Sequence, residues 1–396
     1  MKANLVENKP LFTGYSKRKL YCLAQTYEEL AKLYRDSQSV DKMSVEMGSL
    51  DRRDILYRRE LNETKQIFAN HLEEISEAFL EVADTVVQVR LPLERKKKAL
   101  IQHLKKQGIQ VREIVFIENG TSRRISMEAR AIGRKEISAD ELAGLLSVYF
   151  NRRLMTALDS AAVLGRGYDF FLFEDEPSFT VLSAMARAVK ENEKISGDNF
   201  SIEEYNQNRI VAMISDGMGS GEQACRDSRA VIEFMEKFMD AGFSKEKAMM
   251  LVNGAFFSKN PGANLTTLDL CSINLLTGEA EFIKAGAAAS FVKHGMHVEE
   301  ISFDTLPLGG TDEIDSMQFS VSLYDADLLI MVSDGVIDAF GEFGARLLKD
   351  VIAKTNLVNP KEFADYLIQC AISCQGGHIR DDMTVLAMYI NQMRQE

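Results

Sequence analysis

Four aspartates stand where apolar stretches give way to glycine or to a second aspartate: Asp198 in SGDNFS, Asp216 in SDGMGSG, Asp334 in SDG and Asp381 in DDMT. Hard divalent ions such as Mg²⁺ and Mn²⁺ take oxygen ligands and keep several waters, so a few carboxylates converging from separate strands suffice to hold two of them. A neighbouring glycine lets a backbone carbonyl join the set. Asp-Gly is also a common turn, and a turn would account for any one of these aspartates. It does not account for two SDG triplets that each follow a near-continuous apolar run, VAMI before Asp216 and LLIMV before Asp334. Such runs read as buried strands, and a bare carboxylate at a buried strand end needs a cation.

The other residue types offer little competing chemistry. No Ser/His/Asp order is visible, and no cysteine sits in a context that would lower its pKa, so water is the expected nucleophile. Two ions about 3.5–4 Å apart can hold a water as hydroxide and neutralise a phosphoryl oxygen, which makes a phosphate monoester the expected substrate. The glycines at 217, 219 and 221 superficially match a dinucleotide fingerprint, but the spacing is wrong and Asp216 would face the pyrophosphate. His294 and His297 form an HxxH at an expected hairpin turn. Cys370, Cys374 and His378 recur every four residues, with Gly376 and Gly377 breaking the helix before the histidine arrives. Neither group makes a zinc site.

The chain that must position these aspartates has 396 residues, 46% hydrophobic and 27% charged, enough for more than one folded unit. No run approaches the ~20 apolar residues that span a bilayer, and the first 20 residues lack the core of a secretory signal. Five cysteines without a CxxC pair read as reduced thiols, and the chain as given reads as cytoplasmic. Residues 1–113 carry 21 Lys and Arg against 17 Asp and Glu, whereas the remainder carries 26 against 42. An acidic C-terminal part disfavours nucleic acid as its partner and suits a divalent cation.

Apolar residues at helical spacing, Leu20, Leu23, Tyr27, Leu30 and Tyr34, and then Leu61, Phe68, Leu72, Ile75, Phe79, Val82 and Val86, predict amphipathic helices. They suit either a small bundle or a seam between protomers. Pro92 ends the second, residues 93–107 read as a basic helix closed by Gly108, and 111–117 with 124–132 as two strands. Ser138 and Glu141 form a capping-box start for a helix to Tyr149, and strands follow near 154, 170–173 and 181–189. Beyond a boundary near 180, short strands alternate with helix pairs at 222–241 with 244–257 and at 342–355 with 360–374. Residues 268–275 and 279–285 flank Leu276-Thr277-Gly278 as a hairpin, and strands at 290–294, 298–301, 319–323, 328–332 and 383–390 complete an α+β sandwich.

The run SGDNFS, SDGMGSGE, TLDLCSINLLTGEAEFIKAGAAASF, LPLGG, SDGVID and DDMT resembles the metal-dependent (PPM-type) serine/threonine phosphatases. The likeness covers roughly 180–390, and more loosely 15–180, which is similar to the regulatory region of a sporulation member. It implies a β-sandwich flanked by helix pairs over 180–396, preceded by a helical regulatory and oligomerisation segment over 1–92 and a small α/β regulatory unit over 93–179. It implies Asp216 bridging two Mn²⁺ or Mg²⁺ ions, with Gly217 offering its carbonyl, Asp198 helping one ion, Asp334 and Asp381 holding the other, and Asp382 behind them. The implied substrate is a phosphoserine on an anti-anti-sigma factor, whose dephosphorylation releases a sporulation sigma factor. The sporulation member also carries a membrane region ahead of its regulatory part. With such a region, residence at the division septum beside a cell-division protein is implied; without one, a cytosolic stress-response phosphatase. The alternative of another class is a silent adaptor acting through its N-terminal helices. Regulation is expected to run through the helix pair at 222–257, which Gly219 to Gly221 join directly to Asp216.

Overall fold

The computed structural model describes residues 20–32, 66 and 69–83, and residues 88–393 apart from 91–93, 120–121, 134–135, 158–159, 206–207, 220, 242, 260–264, 312–313 and 315–316. The N-terminal elements are helices α1 (20–32) and α2 (69–83). They are tied together where the Ser76 hydroxyl donates to the Ala24 carbonyl at 2.8 Å. The faces they bury hold Ala24 and Ala31, then Ala69, Leu72 and Ala78, while Leu23 and Leu30 of the expected stripe are exposed. Residues 33–65, the 67–68 pair and 84–87, with Tyr34, Leu61, Phe68 and Val86 of those stripes, lie outside the described residues, as do Ser220 and Gly242. No described helix is long and apolar enough to cross a membrane.

Among the described residues, contacts give two compact units, one built from those of 79–177 with residues 20–23 and the other from those of 178–393 with the described part of 24–78. The first contains β1 (Gln88–Arg90), α3 (Glu94–Lys106), β2 (Ile109–Asn119), β3 (Ser122–Ala131), β4 (Ile137–Ser138), α4 (Ala139–Phe150), β5 (Leu154–Thr156), β6 (Val163–Leu164) and β7 (Asp169–Asp175). An antiparallel sheet ordered β1-β2-β3-β7-β5 buries one face under α3 and α4 in an apolar core that includes Leu104, Ile125, Leu142 and Phe173. Gly108 leaves α3 at φ +82°, the left-handed conformation that favours glycine. Ser138 caps α4 by accepting from the Glu141 amide at 3.0 Å.

The second unit is a sandwich. Its strands are β8 (Phe179–Ala188), β9 (Asp198–Tyr205), β10 (Arg209–Asp216), β11 (Leu268–Asn274), β12 (Glu279–Ala285), β13 (Ser290–His294), β14 (His297–Ile301), β15 (Met317–Ser322), β16 (Leu328–Val332) and β17 (Met383–Gln392). Its helices are α5 (Gly221–Asp240), α6 (Lys245–Lys259), α7 (Asp334–Asp338), α8 (Gly344–Lys354) and α9 (Pro360–Cys374). The two sheets are ordered β15-β12-β11-β10-β9 and β14-β13-β16-β17-β8.

Strand periodicity explains the apolar runs. Val211 and Met213 of β10 pack under α5 and α6, whereas Ala212 and Ile214 enter the core between the sheets. Likewise Leu328, Ile330 and Val332 of β16 face α8 and α9, and Leu329 and Met331 face the other sheet. Both strands are therefore covered on both faces, which requires apolar residues at consecutive positions. The expected α+β sandwich with paired helices is the observed one. The short helix α7, opening on Asp334 itself, was not anticipated; a five-residue helix is too short to show a period in sequence.

Candidate metal centre

The strand arrangement brings the four aspartates to one end of the sandwich. Antiparallel pairing of β9 with β10 sets Asp216 directly opposite Asp198 in the first sheet. In the second sheet β16 runs into Ser333 and Asp334, and Asp381 lies two residues ahead of its neighbour β17. The carboxyl groups of Asp216 and Asp334 lie close to each other, with Asp198 and Asp381 near enough to repel Asp216. Burial, then the charges of Asp198 and Asp334, push the Asp216 carboxyl up to about 9. Burial raises Asp198 to about 6, and the nearby Thr384 and Ser333 hydroxyls offset this only in part. Asp334 is raised too, chiefly by burial, against the pull of the Gly335 amide.

This donor set fits a hard divalent cation. Asp198 is 1% exposed, and neither of its oxygens has a hydrogen-bond donor at ordinary geometry among the described residues. Burying an ionised carboxylate among others of like charge is costly unless a cation or a proton compensates. Among the described residues no three acidic, histidine or cysteine side chains converge closely enough to enclose an ion.

The rest of the neighbourhood is fixed by backbone contacts. Asp216 donates its amide to the Thr267 hydroxyl at 2.9 Å, and the Thr267 amide donates to the Asp216 carbonyl at 2.8 Å. Asp382 is tied to the backbone, its oxygens accepting from the Lys190 amide at 3.0 Å and the Gly197 amide at 2.7 Å. It thereby secures the loop that enters β9 at Asp198. The glycines of both SDG triplets are demanded by close approach. A Cβ at Gly217 would stand 2.2 Å from the Ala224 carbonyl oxygen in α5, and one at Gly335 would stand 2.1 Å from that of Asp382. The start of α5 is pinned to the same loop, where the Ser228 hydroxyl donates to the Gly197 carbonyl and the Asn199 amide group donates to Ser228 at 2.8 Å.

The competing groups do not assemble. His294 faces His297 across the β13–β14 pair but holds Asp327 at 2.8 Å, and His378 lies beside Glu191 at 3.1 Å. Gly376 and Gly377, at φ +72° and +89°, end α9 short of His378. Burial raises the Cys271 thiol well above its ordinary value, so it is no nucleophile.

A buried cluster beside the aspartates was missed from sequence. Asp269 on β11 pairs across the strand with Lys284 on β12, whose ammonium reaches Asp269 Oδ2 at 2.6 Å, Ser290 Oγ at 2.8 Å and the Ala288 carbonyl at 2.7 Å. The hairpin about Leu276-Thr277-Gly278 was legible, but a three-residue turn would set Asp269 opposite Ala285; the observed turn spans residues 275–278, and that one-residue shift sets the acid opposite the lysine.

Comparison with known proteins bears on the family and the fold. Residues 206–391 match the family model described as stage II sporulation protein E. The stage II sporulation protein E of Bacillus subtilis (strain 168) is 29% identical over 342 residues, covering 84% of this chain and 41% of its own length. This chain thus spans less than half of that relative. A solved B. subtilis structure, the PP2C phosphatase domain of that protein with a fragment of its regulatory domain, is similar with a TM-score of 0.65 at 26% identity, over 87% of this chain and 99% of that one. The phosphatase domain of the same protein in a crystal form without domain swapping is 30% identical over 56% of this chain and 96% of its own, with a TM-score of 0.46. Over residues 206–391 the chain matches the stage II sporulation protein E family, and it carries a PP2C-type (PPM-type) serine/threonine phosphatase domain.

Proposed function

We propose that this chain removes phosphate from a phosphoserine on an anti-anti-sigma factor, in a reaction that needs Mn²⁺ or Mg²⁺. The observation that carries the reading is the set Asp198, Asp216 and Asp334 at one end of the sandwich, of which Asp198 is buried and all three have carboxyls raised chiefly by desolvation and then by neighbouring aspartates. Asp216 would hold both ions, with Asp198 and the Gly217 carbonyl completing one site and Asp334 and Asp381 the other. When bound, the ions supply water ionised at neutral pH and neutralise charge on the phosphoryl group. The chain's own part is to orient: Thr267 fixes the Asp216 backbone, and Asp382 fixes the loop bearing Asp198. The substrate rests on the family resemblance, as do residues 1–92 as a regulatory and oligomerisation segment, 93–179 as a regulatory unit, and a septal location beside a division protein should a membrane segment precede the chain.

The test is phosphate release from a phosphorylated anti-anti-sigma protein by purified chain with and without Mn²⁺. Metal-dependent release that Asp216→Asn abolishes supports the reading. Turnover of p-nitrophenyl phosphate without turnover of the phosphoprotein would overturn the substrate and leave the chemistry. No hydrolysis of either by folded, Mn²⁺-supplied protein would overturn both.

A further inference from the structure

A small recess at the end of the sandwich, with room for about one water, is lined by Asp216, Asp334, Thr267, Asp269, Ala288 and Ser333. Asp269 is 2% exposed, and its two oxygens are in different states. Oδ2 accepts from the Lys284 ammonium at 2.6 Å and from the Ser290 hydroxyl. Oδ1 is buried with no hydrogen-bond partner among the described residues.

The Lys284 ammonium is fully spent on Asp269, Ser290 and Ala288. Because Asp269 and Lys284 lie on the first sheet and Ser290 opens β13 of the second, the cluster bridges the two sheets beside the aspartates. A simple structural staple would use both carboxylate oxygens, since leaving a buried acceptor unsatisfied costs about 1–3 kcal/mol. A carboxylate can only accept, so the group it awaits must be a donor. The recess is polar on several sides, as an ordered water requires. A neighbouring anion would be repelled by Asp269, whereas a water lying between it and the ligand carboxylates could donate to it.

We infer that Asp269, locked by Lys284 and Ser290, is a positioning residue that orders water between itself and Asp216 and Asp334, and so sets how tightly the aspartates hold divalent cations. The inference rests on those aspartates being metal ligands. Outer-shell partners of this kind typically change metal affinity by about 10–100-fold when removed.

The experiment is calorimetric titration of Mn²⁺ into the full chain, with thermal unfolding measured on the same samples. The variants are Asp269→Asn, Ser290→Ala and the double variant Asp269→Asn with Lys284→Met. The double variant keeps the test decisive, because exchanging both members of a buried ion pair for neutral groups is often neutral for stability, whereas removing one strands the other. The expected result is Mn²⁺ binding at least about tenfold weaker in Asp269→Asn and still weak in the double variant even as its stability returns. Ser290→Ala, which loosens the carboxylate without removing it, should fall between. A stable double variant with wild-type Mn²⁺ affinity would show the cluster to be only a staple and overturn the inference. Wild type that binds no Mn²⁺ would instead overturn the metal reading of the aspartates, and this inference with it.

Discussion

The α/β unit and the sandwich each bury a carboxylate in a directly opposed cross-strand pair, and they differ in what stands opposite. Glu174 on β7 faces Arg124 on β3, with the guanidinium 3.2 Å from its carboxylate. Asp198 on β9 faces Asp216 on β10, like charge against like. Both acids are 1% exposed, so burial alone does not separate them. A directly opposed pair of like charge destabilises a sheet, and a buried one does so more. The first pair completes a fold, whereas the second leaves a demand that only a proton or a cation can meet. Asp269 opposite Lys284 lies between these cases, compensated at one oxygen and open at the other.

Neutralising one member of each pair should break the comparison most strongly. Asp216→Asn is expected to cut phosphatase turnover by more than the ~10–100-fold typical of outer-shell partners and to abolish Mn²⁺ binding, without lowering the stability of metal-free protein. Glu174→Gln should do the reverse, leaving Mn²⁺ binding intact while destabilising the α/β unit. That cost should be below the ~3–5 kcal/mol of a fully buried pair, because Arg124 is partly exposed. Calorimetry and urea unfolding on both variants decide it. Lost metal binding in Glu174→Gln would erase the distinction.

Glycines give a second, smaller contrast. Ala at Gly217 or Gly335 would place a Cβ 2.2 or 2.1 Å from a backbone oxygen, and should cost at least the ~1–3 kcal/mol of overpacking, with metal affinity falling too. Gly144 in α4 meets nothing within 4 Å, and Gly144→Ala should stabilise by about 0.5–1 kcal/mol. Equal denaturation midpoints for the Gly217 and Gly144 variants would refute the steric reading.

The pH dependence of metal-free protein sharpens the contrast further. Asp198 and Asp216 are raised from 3.8 to about 6 and about 9, so the folded state holds their protons more tightly than the unfolded state does. Their contribution is therefore full below about pH 4 and is lost as pH rises through the folded values. Metal-free protein should lose stability between about pH 4 and 9, and saturating Mn²⁺ should flatten that slope. The measurement is melting temperature against pH with and without Mn²⁺, and identical slopes would contradict it.

Much of the sandwich was legible because two-sided burial writes long apolar runs, and because glycine turns punctuate them. The two SDG triplets stood out for that reason. The steric need for Gly217 and Gly335 was not legible, since Ala224 and Asp382 approach them only in the folded chain. The face of α1 differs from its expected stripe: Leu23 and Leu30 set the apolar pattern, but Ala24 and Ala31 are the residues buried, whereas Leu72 of the α2 stripe is buried as expected. Small residues permit close helix approach and carry little signal in a hydrophobic pattern. Asp269 was overlooked because a lone acid in an apolar strand looks like a pattern error until its partner is set opposite.

The smallest effect tests whether the N-terminal helices touch the metal centre through α6. On α2, Glu77 reaches Lys247 of α6 at 2.5 Å, and a Cβ on Gly254 of α6 would lie 2.9 Å from His71 Nε2. Glu77 is 65% exposed, so the ion pair should be worth no more than about 1 kcal/mol. A double-mutant cycle with Glu77→Gln and Lys247→Gln would read that coupling in stability. If α2 biases the helix pair, and α5 in turn holds the Asp198 loop through Ser228, the same cycle read in Mn²⁺ affinity should show a coupling of its own, at most a few-fold on the scale of the ion pair. A coupling in stability with none in Mn²⁺ affinity would make α2 a passive strap. A coupling in both would carry the contrast between fold-completing and function-bearing charges out to the N-terminal helices.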